Sequence, residues 1–138
     1  MVRDIPSQND QPGPSAVREL CWSTSALFRF SALTFNAHKI HYNEEWCREV
    51  EGHPTPVVHG PLSLISILDY WRDTYGLRNQ LLSIQYRAVS PLFAGETYRV
   101  YTMSCDASSP VKICKIAAEK NGILCMRAEV LSSSLSAG

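Results

Sequence analysis

A chain of 138 residues with 45 % hydrophobic and 19 % charged residues has the make-up of one globular domain, with no room for two independent cores. Lys plus Arg and Asp plus Glu stand at 13 each, so the formal net charge is zero. Without a basic stripe carrying interleaved aromatics, nucleic acid is not an expected partner, and a near-neutral surface favours self-association. No apolar run reaches the ~18 residues of a membrane span. Five scattered cysteines (Cys21, Cys47, Cys105, Cys114, Cys125), never spaced as C-x-x-C, argue against a disulfide framework or a thiolate metal site. They fit a reducing compartment, with most of them as small core residues.

In chain order, residues 1–14 are polar with Pro and Gly and read as a flexible lead-in to a domain over 15–138. They lack the apolar core of a signal peptide and the Arg-rich pattern of a transit peptide. The final Ser-Ala-Gly is no peroxisomal address, so the cytoplasm is the expected location. Val17 to Trp22 reads as a short strand. Ser23, Thr24 and Ser25 offer capping hydroxyls to a short helix over ALFRFSALT. Asn36 to Tyr42 is compact and polar. Asn43 caps a second short helix with Glu44 and Glu45 in its first turn, and Gly52-His53-Pro54-Thr55-Pro56 ends it. The next helix runs from Pro61, a residue suited to the first helical position, to about Tyr75. From Leu62 to Leu68 it is apolar on nearly every face, interrupted by Ser63 and Ser66, so it is expected to be wrapped by other structure.

The second half is β-rich. Strands are expected over Leu82–Val89, Glu96–Cys105, Val111–Glu119 and Ile123–Leu131, separated by turn-forming stretches. Asn121-Gly122 between the last two signals a type I′ hairpin. One N-terminal strand, a buried helix and four antiparallel strands make an α+β domain, a sheet rolled around a helix.

All four histidines (His38, His41, His53, His59) fall within 22 residues. His38 and His41 have H-x-x-H spacing, but two ligands are too few for zinc and no suitably placed Cys or carboxylate completes a set. No metal and no cofactor are therefore expected. Serine-nucleophile signatures such as G-x-S-x-G are absent.

The stretch FRFSALTFNAHKIHYNEEWCREVEGHPTPVVHGPL resembles the MaoC-like hydratases. It is most similar to the branch that holds mesaconyl-CoA hydratase and the fungal 3-hydroxyacyl-thioester dehydratases. YRAVSPLFAGE resembles the strand and turn that follow the central helix in that family, so the likeness covers roughly residues 20–131. It implies a single hot-dog fold and a homodimer. His41 takes the acid/base position, since an imidazole titrates near neutrality. Asn36 stands where the general motif has Asp; an amide orients a hydroxyl or water but transfers no proton. His38 is the nearby group able to supply the missing transfer, and equally reads as a solvent-facing loop residue. Gly60 marks the start of the central helix, where free N–H groups hold a developing enolate oxygen, and His59 and Pro61 flank it.

The expected function is therefore a hydro-lyase acting on a 3-hydroxyacyl or enoyl thioester or a related small carbonyl compound, in a fungal-type biosynthetic setting. The acyl substrate is CoA-bound, carrier-bound or free. Two alternatives stay open. A hot-dog thioesterase needs a carboxylate on the central helix, and the only acid before its exposed end is Asp69, more than two turns from Gly60. A non-catalytic small-molecule-binding hot-dog is kept open by Asn36.

Overall fold

The computed structural model describes residues 16–107 and 110–135; the lead-in expected over residues 1–14 lies outside them. The chain opens with β1 (Val17–Leu20) and α1 (Thr24–Leu33). Ser23 caps α1, its side chain accepting from the Ala26 N–H. A one-turn 3₁₀ helix (Lys39–His41) follows, then α2 (Glu44–Trp46), capped by Asn43 as expected. This helix runs on as a π-helical turn over Cys47–Glu51 and stops at Gly52, whose φ of 75° is the left-handed conformation that glycine takes freely. The long helix α3 spans Gly60–Tyr75, one residue earlier than expected at its start.

Four strands complete the chain: β2 (Asn79–Ala88), β3 (Tyr98–Asp106), β4 (Val111–Lys120) and β5 (Ile123–Ser134). The β4–β5 turn has φ of 47° at Asn121 and 79° at Gly122, the two positive values a type I′ turn requires. The five strands form one antiparallel sheet in the order β1-β3-β4-β5-β2, so β1 and β2 are its edges. With α3 against it, this is the α+β hot-dog arrangement.

Alternation along the strands builds the core. Tyr98 and Val100 of β3, Ile116 and Ala118 of β4, and Met126, Ala128 and Val130 of β5 are buried with Ile67, Tyr70 and Trp71 of α3. Removing a Val, Ile or Met side chain of this set from water contributes about 1.5–3 kcal/mol. Polar ties fix how the helix lies. The Tyr70 hydroxyl donates to the Ala16 carbonyl (2.8 Å), and Tyr75 meets Thr102 of β3 (2.7 Å). Buried Arg18 of β1 donates to Asp69 (3.1 Å) and Asp73 (2.5 Å) on α3, clamping the edge strand to the far end of the helix.

Two expectations need correction. The first half of α3 is not wrapped on every side: Ser63 and Ser66 are buried, while Leu64 and Leu68 are half-buried and Ile65 is 52 % exposed. The cause is the fit of small hydroxyls against other structure. Ser66 donates to the Leu62 carbonyl (2.9 Å) and receives the Tyr98 hydroxyl (3.4 Å), satisfying groups that could not be buried bare. Leu64, Ile65 and Leu68 are left on the opposite face, while Leu62 and Ile67 share the buried one.

The cysteines also depart from expectation. The β3–β4 register sets Cys105 directly opposite Cys114, with Cα atoms 4.1 Å apart, and the two form a disulfide. Their separation of nine residues carried no hint of this, because the hairpin register decides it. Cys47 and Cys125 are buried small residues as expected, whereas Cys21 is exposed.

Candidate active site

Backbone hydrogen bonds bring the polar loop after α1 to the start of α3. The Val57 N–H donates to the Ile40 carbonyl (2.9 Å), which also accepts from the Cys47 thiol (3.1 Å). His41 returns the contact: its Nδ1 lies 2.7 Å from the Val57 carbonyl. A carbonyl only accepts, so Nδ1 carries the hydrogen and Nε2 is left as a lone pair. That atom has no hydrogen bond among the described residues. Burial holds the His41 imidazole below its ordinary pKa and nearby His38 adds to this, while the Val57 hydrogen bond works in the opposite direction. His41 is thus a neutral base at neutral pH, with its free nitrogen fixed in direction.

Asn36 sits on a sharp turn. Phe35 before it has a φ of 54° and is 95 % exposed, an uncommon conformation for a bulky residue. The Asn36 side-chain oxygen accepts from the His38 N–H (3.1 Å), and its Nδ2 makes no hydrogen bond among the described residues, leaving two donors for another group. His38 is exposed, and its Nδ1 accepts from the Ile40 N–H (3.2 Å). In the neutral ring its proton is therefore on Nε2. The His38 and His41 rings are 5.9 Å apart, edge to face.

His59 precedes α3 and is 1 % exposed. Its ring lies on that of His41, centroids 3.8 Å apart and planes 17° from parallel, and meets Phe30 edge-on at 4.7 Å. Its Nε2 lies 2.7 Å from the Ser31 hydroxyl of α1, while its buried Nδ1 has no partner. Burial first, and His41 second, push its pKa down to about 4. Sequence reasoning placed His59 beside Gly60 but assigned nothing to Ser31 or to the Val57 carbonyl. Ser31 is signalled by its place four residues after Leu27, which puts it on the buried face of α1. The carbonyl has no side-chain signal.

At the head of α3, the His59 side chain provides no cap and Pro61 has no N–H. The N–H groups of Gly60 and Leu62 thus have no intrahelical partner. Gly60 lacks the positive φ that would demand glycine, and a Cβ built there meets nothing within 4 Å. Folding does not require glycine at this position; what glycine leaves is room over the free N–H groups. His53 is elsewhere, against Phe93 at 5.4 Å, so three of the four histidines assemble and the fourth does not. Among the described residues no three His, Cys, Asp or Glu side chains are grouped to hold a metal ion.

The sequence model of the hydroxyacyl-thioester dehydratase type 2 family matches residues 2–94, two thirds of the chain. The chain belongs to this family. It is 40 % identical over 74 residues to mesaconyl-C(4)-CoA hydratase of Chloroflexus aurantiacus, covering 54 % of this chain and 26 % of that protein. Over 75 residues it is 37 % identical to the mitochondrial hydroxyacyl-thioester dehydratase type 2 of Schizosaccharomyces pombe, covering 54 % of this chain and 25 % of that one. The match thus spans about a quarter of the length of these relatives. The fold is similar to that of a chain in the ChsH1–ChsH2 complex of Mycobacterium tuberculosis, with a TM-score of 0.76, 15 % identity and coverage of 86 % of this chain and 93 % of that one. The family match includes every member of the His41 constellation: Ser31, Asn36, His38, His41, His59 and Gly60.

The buried imidazole has a consequence for stability. His59 takes its proton near pH 4 when folded, against 6.5 when unfolded, so between those values the unfolded chain binds more protons. The stability contributed by neutral His59 is complete above about pH 6.5 and is lost as the pH falls toward 4. Thermal melts should therefore show a Tm that drops between pH 7 and 5, with a shallower drop in His59→Asn, which cannot titrate. Equal slopes for the two proteins would contradict a buried neutral His59.

Proposed function

We propose that this protein is a hydro-lyase, adding water to or removing it from a 3-hydroxyacyl or enoyl thioester or a related small carbonyl compound. The observation that carries the reading is His41, a neutral imidazole with Nδ1 tied to Val57 and Nε2 free. The names of the two relatives, a CoA hydratase and a hydroxyacyl-thioester dehydratase, support the same reaction class.

In the dehydration direction, His41 Nε2 removes the proton alpha to the carbonyl. The electron pair moves onto the carbonyl oxygen, which the N–H groups of Gly60 and Leu62 stabilise as an enolate. Collapse of the enolate forms the carbon–carbon double bond and breaks the bond to the 3-hydroxyl. Asn36 Nδ2 orients that hydroxyl, and His38 in its imidazolium form gives up the Nε2 proton with which it leaves as water; the proton gained by His41 passes to solvent, so one proton is taken up and one released per turnover. Hydration runs the steps in reverse. Pro61 starts the helix without adding an N–H to the oxyanion end. His59 is too deeply buried to touch the substrate, and serves that end through the backbone it leads into α3.

No cofactor enters this scheme. The thioesterase reading is disfavoured because Asp69, the carboxylate it would need, is engaged by Arg18 and Arg72. The assay for this activity includes the acyl group on CoA, on a carrier protein and free. The proposed compartment is the cytoplasm; the described helices are none of them long and apolar enough to cross a membrane.

The assembly we propose is a homodimer with two-fold symmetry. Edge strand β2 exposes Leu81, Leu82 and Tyr86 at 41 %, 51 % and 50 %, and α3 exposes Ile65. An open apolar edge is a pairing surface, and a second copy completes it isologously.

Three measurements check these proposals. Folded His41→Ala should lose roughly 10²–10⁴-fold in kcat for hydration of an enoyl thioester, and the acid limb of the wild-type rate should fall below pH 6.5, because His41 must be neutral to accept a proton. Near-wild-type turnover by His41→Ala would end the assignment. Gly60→Val should melt within a few degrees of wild type yet turn over at least about 10²-fold more slowly, the usual worth of one oxyanion contact; an unimpaired kcat/KM would place the reacting carbonyl elsewhere. Light scattering should give twice the 15.4 kDa chain mass, and a fully active monomer would contradict the dimer.

A further inference from the structure

Behind His41 lies a polar contact that the proposed reaction leaves unused. Ser31 of α1 and His59 at the head of α3 are 5 % and 1 % exposed, yet they meet through a 2.7 Å hydrogen bond in an otherwise apolar setting beside Phe30. Burying two polar groups is costly and is offset only by the bond between them. An apolar pair would fill such a space at less cost. What distinguishes this pair is its position: the face of the His59 ring covers the face of His41 at 3.8 Å.

The hydrogen bond restricts how His59 can rotate. If Ser31 donated to Nε2, the ring hydrogen would lie on Nδ1, which is buried and has no partner. A buried donor without an acceptor is rarer in proteins than an under-satisfied acceptor. The favoured arrangement therefore has His59 Nε2–H donating to Ser31 Oγ, with a lone pair on Nδ1. Rotating the imidazole about χ2 would break that bond, so its plane is held, and the stacked plane of His41 is held with it. The Val57 carbonyl fixes one edge of His41, and His59 fixes its tilt about that edge.

We infer that Ser31 and His59 are positioning residues that hold the His41 ring in the orientation and single tautomer its base function needs. This rests on the proposed role of His41, and it goes further by assigning a task to two residues that touch no substrate. It also explains why the support is an imidazole that stays neutral. Two charged rings at 3.8 Å would repel, and a second ready proton acceptor beside His41 would compete for the substrate's proton. Burial keeps His59 out of that competition. The titratable groups around His41 are His38 at 5.9 Å on its own loop, His59 at the α3 head, and Cys47, which donates to the carbonyl of the preceding residue.

The test reads His41 directly, without substrate. Long-range ¹H–¹⁵N spectra of the full chain, recorded from pH 4 to 9, report the tautomer and titration of each histidine ring. Wild type should show His41 with its hydrogen on Nδ1 and His59 neutral until the acid end of the range. In His59→Ala, water reaches the vacated face, so His41 should become a mixture of tautomers with its pKa moved up toward the ordinary value. Ser31→Ala should move His41 in the same direction by less, and His59→Phe, which keeps a stacked ring, should preserve the tautomer. With an enoyl thioester as substrate, kcat should fall at least about tenfold in His59→Ala while KM changes by less than about twofold. Ile67→Ala, a destabilising core truncation farther along α3, serves as the control for mere destabilisation and should leave the His41 spectrum unmoved.

An unchanged His41 tautomer and titration in His59→Ala overturns the proposal, whatever happens to kcat. So does an equal shift in Ile67→Ala. If His41 responds as expected but no hydration or dehydration is found in wild type, the positioning pair stands and the reaction reading is the part that fails.

Discussion

Three consecutive residues, Pro56, Val57 and Val58, hold the site together through their backbone. The Pro56 carbonyl accepts from Ala94, the Val58 N–H donates to Leu92, and Val57 bridges both to Ile40 and to the His41 ring. The first two bonds fasten the segment to the loop between β2 and β3; the Val57 bonds fasten it to the histidine loop. Few of its backbone groups are left over, so the segment has little freedom to slide. The distance from His41 to the head of α3 is thus set by main-chain bonds, which side-chain rotamers cannot relax. A site whose geometry must hold to a fraction of an ångström gains from that kind of support.

The three clustered imidazoles differ mainly in their access to water, and that difference sorts their roles. His38 is exposed, His41 half-buried and His59 buried. Desolvation penalises the charged form in proportion to burial, so protons are resisted most strongly at His59 and less at His41. In the proposed reaction one residue type thereby serves as a solvent-facing acid, a base and an inert support. The Phe35 backbone, at a φ of 54° with its side chain 95 % exposed, marks the turn that leads into Asn36, whose side-chain oxygen accepts from the His38 N–H. Strain at such positions collects around functional sites.

The surface of α3 follows from a different economy of space. Ser66 lies on its buried face because a hydroxyl bonded to the preceding turn is small enough to lie beside Tyr98, while Leu64, Ile65 and Leu68 stay partly in water. Together with the apolar edge of β2, this leaves a chain whose hydrophobic surface is incomplete by itself. The candidate site lies at the end of α3 away from the Arg18 clamp, so anchorage at Asp69 and Asp73 and the proposed chemistry at Gly60 fall at opposite ends of the helix.

Periodicity and turn chemistry in the sequence were enough to determine the elements and their kind. The Ser23 and Asn43 caps, the stop at Gly52, the Asn121-Gly122 turn and the extended runs of β2 to β5 all depend on neighbours within a few residues, which is the range over which local propensity acts. The motif between Phe30 and Leu62 likewise marked His38, His41 and His59, whose rings the fold brings together, since their types and spacing survive in linear form. What each of them touches was decided by the tertiary structure. The stacking of His59 on His41 and its bond to Ser31 join residues 18 and 28 apart. The Val57 carbonyl could not be singled out in advance, because every residue but one end of the chain carries the same group in the same form. The Cys105–Cys114 bond followed from the β3–β4 register, and the burial of Ser63 and Ser66 over Ile65 followed from which side of α3 met the sheet. These depend on packing between segments distant in sequence, where shape and hydrogen-bond satisfaction outweigh the hydrophobicity of any single residue.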